Sequence, residues 1–107
     1  MQRLSPHELA EWLAGPHDRH PFLLDVREEW EFELAHLPNS VLIPLGELNH
    51  HLNRLPIDRP VVIICHHGVR SLMAGRILSH HGLEAIYDLR GGIDAWSVEI
   101  DRSIRRY

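Results

Sequence analysis

Four short runs of apolar residues constrain the fold of this chain more than any other feature of its sequence. They occupy residues 21–26, 41–44, 61–65 and 85–89. An unbroken run of about 4–8 apolar residues is typical of a strand that is covered on both faces, as the strands of a parallel sheet are. A further edge strand is weakly indicated at residues 2–4. The runs therefore predict a mostly parallel sheet.

Helical patterns lie between these runs. Ser5, Pro6 and Glu8 mark a helix start, with serine as the N-cap, proline in the first helical position and glutamate three residues after the cap. The Ala-Gly-Pro sequence at residues 14–16 ends this helix. Strands that alternate with helices predict an α/β fold, an open sheet with helices on both faces. Further helices are predicted at residues 28–35, 45–53, 70–81 and 91–98, with Gly82 as the C-cap of the third of them.

Length and charge limit the classes of partner. A chain of 107 residues is expected to form one domain, residues 1–107. Its eleven basic residues are outnumbered by fifteen acidic ones, and the formal net charge is -4. Nucleic acid is therefore not an expected partner, because phosphate binding needs a concentrated basic surface. Membrane insertion is not expected either, since no apolar run approaches the ~20 residues that span a bilayer.

The chain has a single cysteine, Cys65, which cannot form an intramolecular disulfide. This excludes the disulfide-rich secreted class and favours a reducing compartment. The N-terminal segment also lacks the apolar stretch of a signal peptide. A cytoplasmic location is expected.

Cys65 ends its apolar run, and a predicted helix begins shortly after it. Ligands of open α/β sheets bind beyond the carboxyl ends of the strands, where backbone N–H groups at a helix N-terminus can hold an anion. Gly68 can let the loop curl, and Arg70 adds a fixed positive charge. These features favour a reactive thiolate that carries or attacks an anionic or sulfur-containing group. The alternative is a buried cysteine that serves only as a small apolar residue.

Three segments resemble the signatures of the rhodanese-like sulfurtransferases, in the order of that family. They are LLDVREEWEFELAHLPNSVLIPLGEL at residues 23–48, CHHGVRS at residues 65–71 and LRGGIDAW at residues 89–96. The resemblance implies a five-stranded parallel sheet and a cysteine that carries a sulfane sulfur as a persulfide. By this resemblance Cys65 is the catalytic residue, and Asp25 and Arg27 support the site through an ion pair or hydrogen bonds. The expected substrate-binding residues are His66, His67, Gly68, Val69, Arg70 and Ser71.

The length of the loop separates sulfur transfer from a related chemistry. Dual-specificity phosphatases and arsenate reductases resemble this fold but place five residues between cysteine and arginine. Here four residues separate Cys65 from Arg70, which favours sulfur. Ala35 and Asn39 replace glycines that are common in the family. Asn39 can hold a left-handed turn, whereas Ala35 is harder to account for.

Ten histidines include three adjacent pairs, at residues 50–51, 66–67 and 80–81. Neighbouring residues on a helix point about 100° apart, so a pair does not by itself form a bidentate metal site. The first and third pairs are interpreted as solvated surface. His66 and His67 flank the thiol, and they either attract an anionic donor when protonated or line the entrance to the pocket.

Other features have structural interpretations. Trp12, Trp30 and Trp96 are expected in the core or in a subunit contact. Gly91 and Gly92 are expected to bring the chain close to the Cys65 loop. Residues 101–107 are expected to form a solvated tail.

Three functions remain open. The favoured one is a sulfurtransferase that moves sulfur from a donor such as thiosulfate, through a Cys65 persulfide, to cyanide or a thiol. It needs no metal and no organic cofactor. The second is a sulfur-relay or regulatory module that acts on a protein partner without rapid turnover. The third is a histidine-rich metal-binding domain.

Overall fold

The computed structural model describes residues 1–107 and contains one five-stranded sheet. All its neighbouring strands are parallel, and their order is β1-β5-β4-β2-β3. This confirms the predicted α/β class, the parallel sheet and the weakly indicated edge strand. The strands are β1 (Gln2–Leu4), β2 (Phe22–Asp25), β3 (Val41–Leu42), β4 (Val61–Ile64) and β5 (Ile86–Leu89).

The chain also contains four α-helices and three short 3-10 segments. None of the helices has both the length and the apolar character needed to cross a membrane. The helices are α1 (Pro6–Ala14), α2 (Glu29–Leu34), α3 (Arg70–His80) and α4 (Gly92–Glu99). The 3-10 segments are His17–Arg19, Leu45–His50 and Leu52–Arg54.

The helix predicted at residues 45–53 is wrong in type. The chain forms two 3-10 segments there, separated by His51 with a φ of -129°. Gly46 and Asn49 are poor helix formers, and the segment follows Pro44. Short 3-10 turns still bury Leu48, which is the apolar side chain that the core requires from this segment.

Strand β4 shows why the apolar runs are unbroken. Val61 and Ile63 face one side of the sheet, Val62 and Ile64 face the other, and all four are fully buried. The first side packs against α3 through Ala74 and Leu78. The second side is covered by α1 and α4, which contribute Leu9, Ile93 and Trp96. Helices therefore lie on both faces, as predicted.

The ends of two helices follow the sequence signals. Ser5 Oγ accepts a hydrogen bond from the Glu8 N–H at 3.1 Å, and the Glu8 carboxylate accepts one from the Ser5 N–H at 2.8 Å. These two bonds satisfy N–H groups that have no partner within the helix. The second signal lies at the C-terminus of α3, the longest helix. There Gly82 adopts a φ of +101° directly after the C-cap His81. A glycine after the last turn permits this left-handed conformation without strain.

One structural expectation is wrong, and another is met in part. Trp96 is buried and Trp12 partly buried, whereas Trp30 is 62% exposed, so of its two expected positions, the core or a subunit contact, it does not take the first. Residues 101–107 are not a solvated tail. Ile104 is buried in the core beside α4, and Tyr107 reaches the Cys65 side of the molecule. An isoleucine and a tyrosine supply apolar surface that stabilises this docked position.

Candidate active site around Cys65

Cys65 directly follows the central strand β4, at the carboxyl edge of the sheet. Only 1% of the residue is exposed. Residues 66–69 form the loop that leads into α3, whose first residue is Arg70. The thiol, the loop and the helix N-terminus therefore have the arrangement that the apolar run and its following residues predicted.

The loop folds back over the thiol. The Gly68 N–H donates a hydrogen bond to Cys65 Sγ at 3.0 Å. Gly68 has a φ of +101°, a conformation that residues with a Cβ rarely adopt. The expected curl of the loop at Gly68 is therefore present, and it directs a backbone donor at sulfur.

The N-terminus of α4 holds the other side of the loop. The Ile93 N–H donates to the Cys65 carbonyl at 2.8 Å, and the Asp94 N–H donates to the His66 carbonyl at 3.1 Å. A Cβ on Gly92 would overlap both of these carbonyl oxygens. The expected close approach of the chain at this glycine is thus explained by two backbone hydrogen bonds that only a glycine permits.

Arg70 is paired with an acid that the sequence did not single out. Its Nη1 and Nη2 donate to Glu31 Oε1 and Oε2 at 2.6 and 2.9 Å. The Glu31 side chain is 4% exposed. Hydrogen bonds from Arg70, opposed by desolvation, lower the pKa of Glu31 to about 2. Much of the Arg70 charge is therefore balanced by a carboxylate that is ionised at neutral pH.

No sequence signal identifies Glu31 as the partner of Arg70. The predicted helix at residues 28–35 contains several acids, and Glu31 is the one whose side chain turns inward. The Glu28 N–H donates to Glu31 Oε1 at 2.9 Å, which forms the capping box of α2. That local role could have been read from the spacing of these two residues, but the contact with Arg70 could not.

The expected ion pair between Asp25 and Arg27 is present and fully buried. Arg27 Nε and Nη2 donate to the two Asp25 carboxylate oxygens at 2.9 and 2.7 Å. Arg27 Nη2 also donates to the Ala35 carbonyl at 2.6 Å. A buried charge of this kind is tolerated because all its donors find partners. The pair ties the end of β2 to the chain that follows α2.

The two departures from the family's glycines fit this arrangement. Ala35 has a φ of -167°, an extended conformation that any residue can adopt. Asn39 has a φ of +65°, the left-handed conformation that asparagine tolerates, as predicted.

Tyr107 is a second residue of the site that the sequence analysis missed. Its hydroxyl donates to Glu31 Oε2 at 2.7 Å and accepts from Arg27 Nη1 at 2.9 Å. Its ring stacks on His66 with a centroid distance of 3.9 Å and an interplanar angle of 5°. Desolvation raises the pKa of Tyr107 to about 12, so the hydroxyl keeps its proton. Tyr107 thus links Arg27, which pairs with Asp25, and Glu31, which pairs with Arg70, to the Cys65 loop at His66.

The adjacent histidines differ in environment. His66 stacks on both Tyr107 and His67, and burial lowers its pKa. The His67 side chain is 62% exposed, and its Nε2 lies 3.9 Å from Asp94 Oδ2. Asp94 in turn accepts hydrogen bonds from Arg106 at 2.8 and 3.2 Å. His66 therefore forms part of the wall of the site, and His67 lies at its surface.

The last two predicted substrate-binding residues, Val69 of the loop and Ser71 of α3, differ in exposure. Val69 is 74% exposed, whereas Ser71 is fully buried. Ser71 Oγ lies 3.1 Å from the Gly68 carbonyl and 3.4 Å from Asp88 Oδ2, so it supports the loop from within. Asp88 also pairs with Arg3 at 3.3 Å, and the sequence analysis did not identify it.

A cavity of about 570 Å³ lies away from this site, against Leu23, Leu37 and Trp96. Cys65 and residues 66–71 do not line it. The Cys65 loop, rather than this cavity, is the candidate active site, because the loop combines a nucleophile with an oriented donor.

The sequence was compared with known proteins. A family profile described as "Rhodanese-like domain" matches residues 5–99. The "Putative sulfur carrier protein YrkF" of Bacillus subtilis is 41% identical over 75 residues, which is 70% of this chain and 40% of that protein. The "Thiosulfate sulfurtransferase GlpE" of Vibrio cholerae is 32% identical over 74 residues, covering 69% of this chain and 70% of that protein. The chain spans less than two thirds of the length of several curated relatives, including YrkF.

The fold was compared with solved structures. A crystal structure of a rhodanese-related protein from Thermoplasma volcanium superimposes with a TM-score of 0.83 at 34% identity, covering 94% of both chains. The profile match and this shared five-stranded architecture agree with the signatures described above. The chain belongs to the rhodanese-like domain family.

Proposed function

We propose that this protein is a sulfurtransferase in which the Cys65 thiolate accepts a sulfane sulfur and passes it on as a persulfide. The observation that carries the proposal is the hydrogen bond of 3.0 Å from the Gly68 N–H to Cys65 Sγ, in a loop at the N-terminus of α3. A donor aimed at sulfur stabilises an anion there in both the thiolate and the persulfide state. The names of the matched relatives, one a thiosulfate sulfurtransferase and one a putative sulfur carrier, support sulfur chemistry.

The reaction needs no electrons or protons from outside. The Cys65 thiolate attacks the outer sulfur of thiosulfate and forms a new S–S bond. The S–S bond of thiosulfate breaks, and sulfite leaves with the bonding electron pair. Cyanide or a thiolate then attacks the outer sulfur of the persulfide, and the Cys65 thiolate is released. Both steps exchange one bond to sulfur for another.

We assign the main role in holding the anion to the loop backbone, of which the Gly68 N–H already donates to Cys65 Sγ. Arg70 was expected to supply a fixed positive charge, and its bidentate contact with Glu31 balances much of that charge. Its pKa is raised chiefly by Glu31, with a smaller contribution from Cys65. We therefore propose that Arg70 mainly fixes the loop. Its positive electrostatic potential at the sulfur is weakened by the Glu31 carboxylate.

The histidines have unequal parts in this proposal. His66 packs between Tyr107 and His67, and its lowered pKa keeps it neutral near pH 7. Attraction of an anionic donor therefore does not come from His66. His67, being exposed, remains a candidate for lining the entrance.

We place this activity in the cytoplasm, where a free thiol stays reduced.

Intact-mass measurement tests the proposal directly. Wild type and Cys65→Ser are each incubated with thiosulfate and then with cyanide. We expect only the wild type to gain one sulfur, about 32 Da, and to lose it with cyanide as thiocyanate appears. An unchanged mass with thiosulfate and with other persulfide donors would contradict the proposal.

A second candidate is a sulfur-relay module that delivers the Cys65 persulfide to a protein partner. It is favoured by the similarity to YrkF, which is named as a putative sulfur carrier protein. The match covers 40% of the length of YrkF. Steady-state turnover separates the two candidates. Rapid formation of thiocyanate from thiosulfate and cyanide by the isolated chain supports the enzyme. Persulfide loading without turnover supports the relay.

A further inference from the structure

The side chains of His66, His67 and Asp94 form a cluster that takes no part in the chemical steps of the proposed sulfur transfer. Each offers one ligand atom, and these atoms all lie within 4.8 Å of one another. The first two residues belong to the Cys65 loop, and the third lies in the first turn of α4. The cluster therefore depends on the close approach of α4 to the loop, which the adjacent pair of histidines does not reveal.

The cluster contains an unexplained polar atom. Of the buried side-chain nitrogen and oxygen atoms, His66 Nε2 alone has no hydrogen-bond partner. Leaving such an atom without a partner costs about 1–3 kcal/mol, so it calls for an explanation. A bound metal ion is one, because imidazole nitrogens are frequent metal ligands.

His66 is held in place beside Asp94, whereas His67 must leave its stack on His66 before both imidazole lone pairs can be directed at one ion. His66 is stacked between two rings at 3.9 Å, and its carbonyl accepts the Asp94 N–H at 3.1 Å. His67 Nε2 and Asp94 Oδ2 are 3.9 Å apart, too far for a hydrogen bond. Two ligands of one ion, each bonded at about 2.1 Å, can lie up to about 4.2 Å apart. The exposed His67 ring can rotate to close the remaining gap within the cluster.

We propose that His66, His67 and Asp94 form a binding site for a borderline divalent transition ion, represented by Zn²⁺. Two imidazoles and one carboxylate are a donor set that suits such ions, with water filling the remaining positions. This differs from the expectation that the chain needs no metal, since a third ligand comes from a distant part of the sequence. The three ligand side chains do not include the Cys65 thiol, so ion binding can be measured in a variant that lacks it.

Arg106 competes with the ion. It donates two hydrogen bonds to Asp94, and its side chain is 62% exposed. An exposed ion pair contributes little free energy, so an ion with three ligands can displace the guanidinium. Removing Arg106 should therefore strengthen ion binding while every ligand stays in place.

The test is equilibrium dialysis of untagged protein against Zn²⁺, with Cys65→Ser as the parent so that the thiol cannot bind the ion. His67→Asn and Asp94→Asn remove one ligand each and are added singly to this parent. His80→Asn is the matched control, because His80 is an exposed member of another adjacent pair. Arg106→Gln tests the competition. Thermal unfolding without metal shows that each variant is folded.

We expect the parent and His80→Asn to bind one ion per chain with the same affinity. His67→Asn and Asp94→Asn should each weaken binding at least about tenfold, since even the loss of a residue that only orients a ligand costs 10–100-fold. Arg106→Gln should tighten it. The proposal is overturned if the parent binds no stoichiometric ion, or if His67→Asn binds as tightly as His80→Asn. Because the parent lacks the thiol, neither outcome depends on sulfur transfer.

Discussion

Arg70 binds Glu31 through two hydrogen bonds of 2.6 and 2.9 Å, so the first residue of α3 is tied to α2 beside the Cys65 loop. The Glu31 side chain is 4% exposed and that of Arg70 is 32% exposed. The acid is therefore shielded from water, and the guanidinium is only partly so. This contact decides how much positive charge the loop presents to an anion.

The first prediction concerns the coupling between these residues. Glu31→Gln, Arg70→Gln and the double variant should give a coupling free energy of about 1–2 kcal/mol in urea unfolding, reduced from a buried pair by solvent at Arg70. Glu33→Gln, at an exposed position of α2, is the matched control and should change stability by less than about 0.5 kcal/mol. Additive effects of the two single variants would show that the interaction between Glu31 and Arg70 contributes no free energy.

The second prediction concerns acid. The pKa of Glu31 is lowered from 4.5 to about 2 in the folded protein, chiefly by Arg70. The unfolded state therefore takes up the proton first as the pH falls. The stabilisation by Glu31 is complete above about pH 5 and is lost progressively toward pH 2. Urea unfolding between these values should show a steeper loss of stability for wild type than for Glu31→Gln. Parallel curves would contradict the assignment.

The third prediction concerns Tyr107. Tyr107→Phe removes the hydroxyl that bonds Glu31 and Arg27 but keeps the ring that stacks on His66. We expect it to lower the free energy of unfolding by about 1–2 kcal/mol, because a buried arginine donor loses its acceptor. Tyr107→Leu should cost more, since the stack is lost as well.

Tyr87→Phe is the control for this pair of variants. The Tyr87 ring packs edge-on against Trp12. Its hydroxyl has no partner comparable to Glu31 or Arg27, so its removal should change stability by less than about 0.5 kcal/mol. Equal effects of the two Tyr→Phe changes would argue that the Tyr107 hydroxyl has no special role.

The fourth prediction concerns Gly92. A Cβ at this position would overlap the carbonyl oxygens of Cys65 and His66, and its φ of +63° is strained for other residues. Gly92→Ala should therefore destabilise the protein by at least about 2 kcal/mol. Gly46→Ala is the control, because nothing lies within 4 Å of its Cβ. Thermal unfolding of both variants checks this, and a Gly92→Ala protein as stable as Gly46→Ala would show that the loop can move away from α4.

Much of the fold was predictable because its signals are local. The unbroken run of β4 reflects two buried faces, and the spacing of Ser5 and Glu8 reflects a capping box that forms within one turn. The helix predicted at residues 45–53 failed because the pattern of apolar residues does not distinguish an α-helix from 3-10 turns that bury the same side chain. The prediction of a solvated tail failed because residues 101–107 are mostly polar in composition, whereas Ile104 and Tyr107 make long-range contacts that composition does not indicate.

The sequence by itself determined the α/β class, the position of Cys65 at a strand end and the loop of four residues before Arg70, since each depends on neighbours along the chain. Only the tertiary structure decided which acid pairs with Arg70 and which distant ring packs on His66. Glu31 lies 39 residues from Arg70 and 76 from Tyr107. Many acids were equally available to Arg70 in the sequence. The choice among them is made by the tertiary fold, which places one carboxylate of α2 out of water and within reach of the guanidinium at the start of α3.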